Sequence, residues 1–131
     1  MFVAVLASLV GCQSTYTAES ALYQTALHNG GHDAAAEIAG KAATADDASA
    51  TVWLLELATA ERMAGRLTES ADWLEKAEAR FRESDASPQV ALGREGLATL
   101  SDPYRLDYAG RNLDRIFAAT YQALDNLELG R

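Results

Sequence analysis

The chain has 131 residues, a length that suits one domain. Hydrophobic residues make up 49% and aromatic residues only 8%, with alanine frequent and two prolines. This composition favours packed helices. The sequence has no continuous alternation of β-branched residues that would predict a sheet. A formal net charge of −8 argues against a nucleic-acid partner, because phosphate binding needs a basic surface.

The chain opens with an uncharged apolar run from Phe2 to Val10 (FVAVLASLV). The run is shorter than the roughly 20 helical residues that span a bilayer, but it matches the apolar part of a secretory signal, which has about 7–15 residues. Gly11 and the single cysteine, Cys12, follow it. The run lacks the basic residues that begin such a signal, so we expect the native start to lie upstream, or Met1 to be internal.

The segment Leu9-Val10-Gly11-Cys12 resembles the lipobox of bacterial lipoproteins. The resemblance implies a signal peptide over residues 1–11, acylation of the Cys12 thiol and a short polar tether over residues 12–17. Acyl chains would provide the membrane anchor, at about 0.8 kcal/mol per buried CH₂. Because Gln13 is not the aspartate associated with inner-membrane retention, the resemblance implies an outer-membrane lipoprotein that faces the periplasm. The alternative is a hydrophobic first helix with a buried free cysteine.

Two segments, offset by 35 residues, share one helical pattern. The first predicts a hairpin of two helices, Glu19–Asn29 and His32–Thr44, broken at Asn29-Gly30-Gly31. Thr17 is the predicted N-cap of the first helix.

The second segment, Val52–Arg82, predicts another hairpin. Gly65 is expected to end its first helix in the left-handed conformation, and Thr68 to cap its second helix. Apolar residues recur at helical spacing and form the candidate core: Leu54, Leu57, Ala58, Ala71, Leu74, Ala77 and Phe81. Trp53 and Trp73 are interpreted as packing residues.

The second hairpin resembles a tetratricopeptide repeat, a unit of about 34 residues. The resemblance rests on one set of positions: Leu54, Leu57, Ala58, Gly65, Leu74 and Ala77. The segment departs from the repeat pattern at three points. Glu61 stands where an aromatic residue is usual, Ser70 stands where alanine is usual, and no proline closes the unit. The resemblance implies an all-α fold over residues 18–131, with antiparallel helical hairpins stacked as a short right-handed solenoid.

Two further stretches carry local signals. Asp46-Asp47 is predicted to cap a helix that begins near Ala48. After Ser87-Pro88, Gln89 to Leu100 is predicted to form a short helix, and Tyr104 to Gly110 a loop.

The last helix, Asn112 to Leu129, is interpreted as half of a third hairpin, because Gly130-Arg131 repeats Gly65-Arg66. Its large apolar residues are Ile116, Tyr121, Leu124 and Leu127. It resembles a segment of repeat-containing bacterial lipoproteins at Tyr121, Ala123, Leu124, Leu127 and Gly130. We expect the repeat domain to be truncated at its C-terminal end.

No motif in the sequence carries catalysis. There is no nucleophile elbow, phosphate-cradling loop or Cys–His pair. His28 and His32 are four residues apart, but Asn29-Gly30-Gly31 interrupts the helix that would align them as metal ligands. We therefore expect no catalytic residue, no cofactor, no metal and no small-molecule substrate.

Three functions remain open at this stage. The first is a non-catalytic scaffold that binds a protein partner in the cell envelope. By the resemblance, its binding positions would be Leu55, Thr59, Arg62 and Met63. The second is a structural envelope lipoprotein that self-associates through alanine-rich faces. The third is a helical metal-binding protein or enzyme.

Overall fold

The computed structural model describes residues 15–44, 49–86 and 110–131. These residues contain five helices and no strand, which confirms the all-α class for the part described: α1 (Thr15–His28), α2 (His32–Ala43), α3 (Ala50–Met63), α4 (Leu67–Ala86) and α5 (Asn112–Glu128). Four predicted features lie outside the described residues, the last of them except for its final residue: Cys12 with its lipobox, the Asp46-Asp47 cap, the helix from Gln89 to Leu100 and the loop from Tyr104 to Gly110.

Each described helix packs against the next one along the chain, from α1 on α2 to α4 on α5. Short turns join α1 to α2 and α3 to α4, as the two predicted hairpins require. None of the described helices combines the length and the apolar character that a membrane crossing needs.

The helices α1, α3 and α5 end in the same way. Gly30, Gly65 and Gly130 have φ of 71°, 78° and 71°, in the left-handed region that a residue with a Cβ disfavours. After α3, the Gly65 amide donates to the carbonyl of Arg62 and the Arg66 amide donates to that of Glu61, both at 2.9 Å. The same two bonds follow α1 and α5. These paired bonds satisfy carbonyls at the helix end and confirm Gly65 as the end of α3.

The two predicted N-caps are wrong. Helix α4 begins at Leu67, so Thr68 lies inside its first turn, and the Arg66 carbonyl accepts from the Ser70 amide at 3.0 Å. Helix α1 begins at Thr15, which places Thr17 within the helix. Cap propensity locates a helix start only to within a few residues, because neighbouring polar residues compete for the same role.

The first part of the core forms where α1, α2 and α3 meet. Trp53 is 1% exposed and packs against two tyrosine rings, Tyr16 at 5.2 Å and Tyr23 at 6.0 Å between ring centroids. The α2 residues beside it are small, with Ala35 and Ala39 fully buried. Small side chains let α2 approach α1 and α3 closely, and the large Trp53 side chain fills the remaining space between the three helices.

The second part of the core joins α3, α4 and α5. Ala58, Leu74, Phe81 and Ala118 are all buried in it, and the half-buried Trp73 packs against both parts of the core. The candidate core residues of Val52–Arg82 are confirmed, since each of the seven is buried.

The entry to α5 is packed tightly against α4. Gly110 has φ of 72°, and a Cβ on it would lie 2.4 Å from the Phe81 ring. The Arg115 guanidinium sits 5.0 Å from the centroid of the same ring and donates to Asp85 at 2.6 and 2.9 Å. A ring contact and a bidentate ion pair therefore orient the first turns of α5 on α4.

Candidate functional site

A groove of about 510 Å³ lies between α1, α3 and α5. Helix α3 forms its floor with Leu55 and Thr59, two of the predicted binding positions. Aromatic side chains form much of its walls, namely Tyr16 from α1 and Phe117 and Tyr121 from α5. A concave surface that is mostly apolar, with a few polar groups, suits the binding of a side chain or a short segment.

A second cavity of about 330 Å³ adjoins the groove, because Thr59, Leu74 and Tyr121 line both. Arg62 and Met63, the other two predicted positions, line this second cavity. Leu55, Thr59 and Arg62 are four and then three residues apart, a spacing that places them on one face of α3. The structure therefore brings all four positions to one continuous surface, which we call the α3 groove.

Arg62 is held by two carboxylates of α5. Its guanidinium bonds to Asp125, and it donates to Glu128 at 2.6 Å. Asp125 is fully buried, and the second oxygen of its carboxylate has no partner among the described residues. The ring of Tyr121 lies 5.8 Å from the guanidinium carbon. Arg62 therefore joins α3 to α5, as well as facing the second cavity.

Sequence reasoning missed Asp125, and the pattern around it explains why. The residue lies between large apolar residues of an amphipathic helix, where an acidic residue normally indicates the solvated face. Its partner Arg62 is 63 residues away in the sequence. No local signal identifies a pair of that separation.

Glu56 brings a half-buried carboxyl to the α3 groove. Burial raises the pKa of Glu56, since the charged form loses solvation. The Tyr23 hydroxyl donates to the backbone carbonyl of Glu56 at 2.7 Å. Burial first, and the nearby Glu56 charge second, raise the pKa of Tyr23. The groove therefore has a proton-binding group set among apolar side chains.

Ser70 lines the second cavity from α4 and is almost completely buried. Its hydroxyl oxygen has no hydrogen-bond partner among the described residues. The tetratricopeptide pattern that this segment resembles has alanine at this position, so packing alone does not require a hydroxyl there. A buried polar atom at a cavity wall is available to a bound group or an ordered water.

The two histidines lie on either side of the first turn. His28 is exposed, and its Nδ1 is 2.9 Å from the carbonyl oxygen of Gln24. Across the three described stretches, no group of three or more His, Cys, Asp or Glu residues is placed to hold a metal ion.

Comparison with known proteins found no match among family models, curated proteins or solved structures.

Proposed function

We propose that this chain is a lipid-anchored lipoprotein of the bacterial envelope and a non-catalytic scaffold, whose tetratricopeptide-like hairpins hold a partner protein in the α3 groove. The observation that carries the proposal is the convergence of Leu55, Thr59, Arg62 and Met63 on that groove. The lipobox at Cys12 supplies the anchor in this account, and the outer membrane, facing the periplasm, is its expected site.

The lining of the groove supports a peptide or helix as its occupant. The aromatic walls of Tyr16, Phe117 and Tyr121 offer large contact areas that lose little entropy on binding. Thr59 is exposed, and its hydroxyl already donates to the Leu55 carbonyl at 2.9 Å. A partner that covers Thr59 therefore leaves no unsatisfied hydroxyl beneath it.

The three glycine ends support the repeat interpretation. Helices α1, α3 and α5 end with the same glycine conformation and the same pair of backbone bonds, and α1 and α3 each lead into a second helix that packs on the first. A stack of such hairpins, expected here as a short right-handed solenoid, buries each apolar face on its neighbour and exposes an extended surface.

The test is a pull-down from detergent-solubilised envelope, using the full chain expressed in a diderm host. Thr59→Glu places a charge in the groove and loses only a local hydrogen bond. Leu22→Glu is the matched control, because Leu22 is an exposed residue on α1 that lines neither cavity. Arg62 is unsuitable for this test, because its replacement would leave the buried Asp125 carboxylate without its cation.

We expect a partner that is recovered with the native chain and with Leu22→Glu, and that is lost with Thr59→Glu. A photo-reactive residue at position 59 should cross-link to that same partner. Recovery of the same proteins by Thr59→Glu, with no cross-link from position 59, would contradict the proposal.

A further inference from the structure

The α3 groove contains one acidic side chain that has no cation beside it. Three charged residues line the groove: Glu56, Arg111 and Asp114. Arg111 and Asp114 form an ion pair with each other at 3.3 Å. Across residues 15–44, 49–86 and 110–131, no basic side chain lies within ion-pair distance of the Glu56 carboxyl. An ionised Glu56 is therefore the uncompensated charge of this lining.

Glu56 lies in the floor of the groove because of its place on α3. Val52 precedes it by four residues and Thr59 follows it by three, so all three side chains share one face of the helix. Burial raises the pKa of Glu56, since water is partly excluded from the carboxyl. Tyr23 favours the charged form, but its hydroxyl has one proton and donates it to the Glu56 backbone carbonyl at 2.7 Å. A cation that enters the groove would therefore meet a partly desolvated carboxylate, where an ion pair is stronger than at an exposed site.

We infer that the α3 groove binds its partner through one basic side chain, lysine or arginine, whose cation pairs with Glu56 between the aromatic walls. This inference rests on the proposed function and names the chemistry that the partner presents. The net charge of the chain, −8, supports it, because an acidic protein attracts a basic segment and repels an acidic one.

The aromatic walls suit a cation. Phe117 and Tyr121 stack with their ring centroids 6.4 Å apart, and their side chains are 51% and 43% exposed. Tyr16 adds a third ring from α1. A cation is attracted to the face of an aromatic ring, and the protein already contains such a contact, since the Lys76 Nζ lies 3.7 Å from the centroid of the Trp73 ring. The walls therefore add to the attraction of Glu56 for a positive charge.

A basic side chain fits the lining better than an apolar or an acidic one. An apolar side chain would cover Glu56 and leave its carboxyl desolvated without a partner, and an acidic one would add a like charge. Lysine and arginine have an apolar stem that can pack on Val52, Leu55 and Leu74 while the charged tip reaches Glu56. Both parts of the lining are then satisfied by one side chain.

The groove stays open when hairpins stack. Its lining comes from α1, α3 and α5, and Leu74 of α4 is the one described residue that a second hairpin helix contributes. A further hairpin helix packed in the same way would lie on the side of α2 and α4. The groove is therefore a surface for a partner and not for the next repeat.

The test uses a library of random short peptides, selected against the full chain with Cys12→Ser, which removes acylation and any disulfide between copies. A photo-reactive residue at position 59 identifies the peptides that bind in the groove. We expect these peptides to share a lysine or arginine at one position. Fluorescence anisotropy then compares one such peptide with an analogue in which norleucine replaces the basic residue, so that the apolar stem remains and the cation is lost.

Glu56→Gln should weaken binding of the basic peptide at least about tenfold, because the cation then enters a groove without a counter-charge. Glu75→Gln is the matched control, since Glu75 is exposed on α4 outside the groove and its replacement removes the same charge from the chain. Its effect should stay below about twofold. Norleucine should weaken binding to the native chain but have little further effect on Glu56→Gln, because both changes remove the same ion pair. Unchanged circular dichroism would show that both variants remain folded.

The outcomes separate this inference from the proposed function. Groove-bound peptides that share no basic residue, or that lose affinity equally with Glu56→Gln and Glu75→Gln, would overturn the inference and leave the scaffold function standing. A selection in which no peptide cross-links from position 59 would contradict both. Thr59→Glu still blocks a basic partner, because the one cation is paired with Glu56 and the added carboxylate would be covered without a cation of its own.

Discussion

The ion pair between Arg62 and Asp125 offers the sharpest test of how α5 is held to α3. Arg62→Leu leaves a fully buried carboxylate without its cation, and the second carboxylate oxygen has no partner among the described residues. Removal of one member of a buried ion pair costs about 3–5 kcal/mol. Because the Arg62 side chain is 23% exposed, we expect the lower end, about 3 kcal/mol, a factor of about 150 in the folding equilibrium.

The double variant Arg62→Leu/Asp125→Leu separates the cost of leaving a buried carboxylate unpaired from the net contribution of the ion pair itself. It removes both charges and fills their space with apolar groups, so we expect its free energy of unfolding to return to within about 1 kcal/mol of the native value. Glu128→Gln is the control, because Glu128 is about half exposed and its bond to Arg62 contributes at most about 1 kcal/mol.

Urea unfolding, followed by circular dichroism, measures all four proteins. If Arg62→Leu costs less than about 1 kcal/mol, or if the double variant is less stable than Arg62→Leu, the account of the buried pair is wrong.

Three further predictions follow from the packing and the groove. Gly110→Ala should cost about 2–3 kcal/mol of stability, because its Cβ meets the Phe81 ring at 2.4 Å. Gly65→Ala has open space around its Cβ and should cost about 1–2 kcal/mol for its positive φ alone. Equal losses of stability in urea unfolding would argue against the contact between Gly110 and Phe81. Trp53→Ala should cost about 3–5 kcal/mol, since the side chain is 1% exposed, and a change below 1 kcal/mol in the same assay would contradict its place in the core. Glu56→Gln should stabilise the protein at neutral pH. The pKa of Glu56 is raised in the folded state, so the folded state binds a proton more tightly than the unfolded state. The native protein therefore loses stability as the pH rises above the ordinary carboxyl range, and the variant avoids that loss. The gain should vanish at acid pH, and a gain that does not change with pH would refute the titration account.

The sequence predicts the two hairpins well because their signals are local. Helical spacing identifies Leu54, Leu57 and Leu74 as core residues, and all three are buried. Gly65 is recognised as a helix end because few other residues adopt its positive φ. The four positions that the resemblance predicts to bind a partner reach one surface, since a helix repeats every three to four residues.

The sequence predicts the environment of α5 poorly. Its spacing shows that one face is apolar, but spacing does not say which neighbour covers that face. The structure places Ala118 and Asp125 against the body and leaves Ile116, Leu124 and Leu127 exposed. The burial of Asp125 depends on Arg62, which only the folded chain brings near it.

The proposed compartment and partner both depend on the proposed lipid anchor at Cys12. The most direct measurement is the intact mass of the chain after expression from its native start in a diderm host and extraction from the membrane. We predict cleavage directly before Cys12, with loss of residues 1–11 and of any residues that precede them, and a mass increase equal to the attached acyl chains. An unprocessed cytosolic product that retains Met1 and a free thiol would contradict the envelope function.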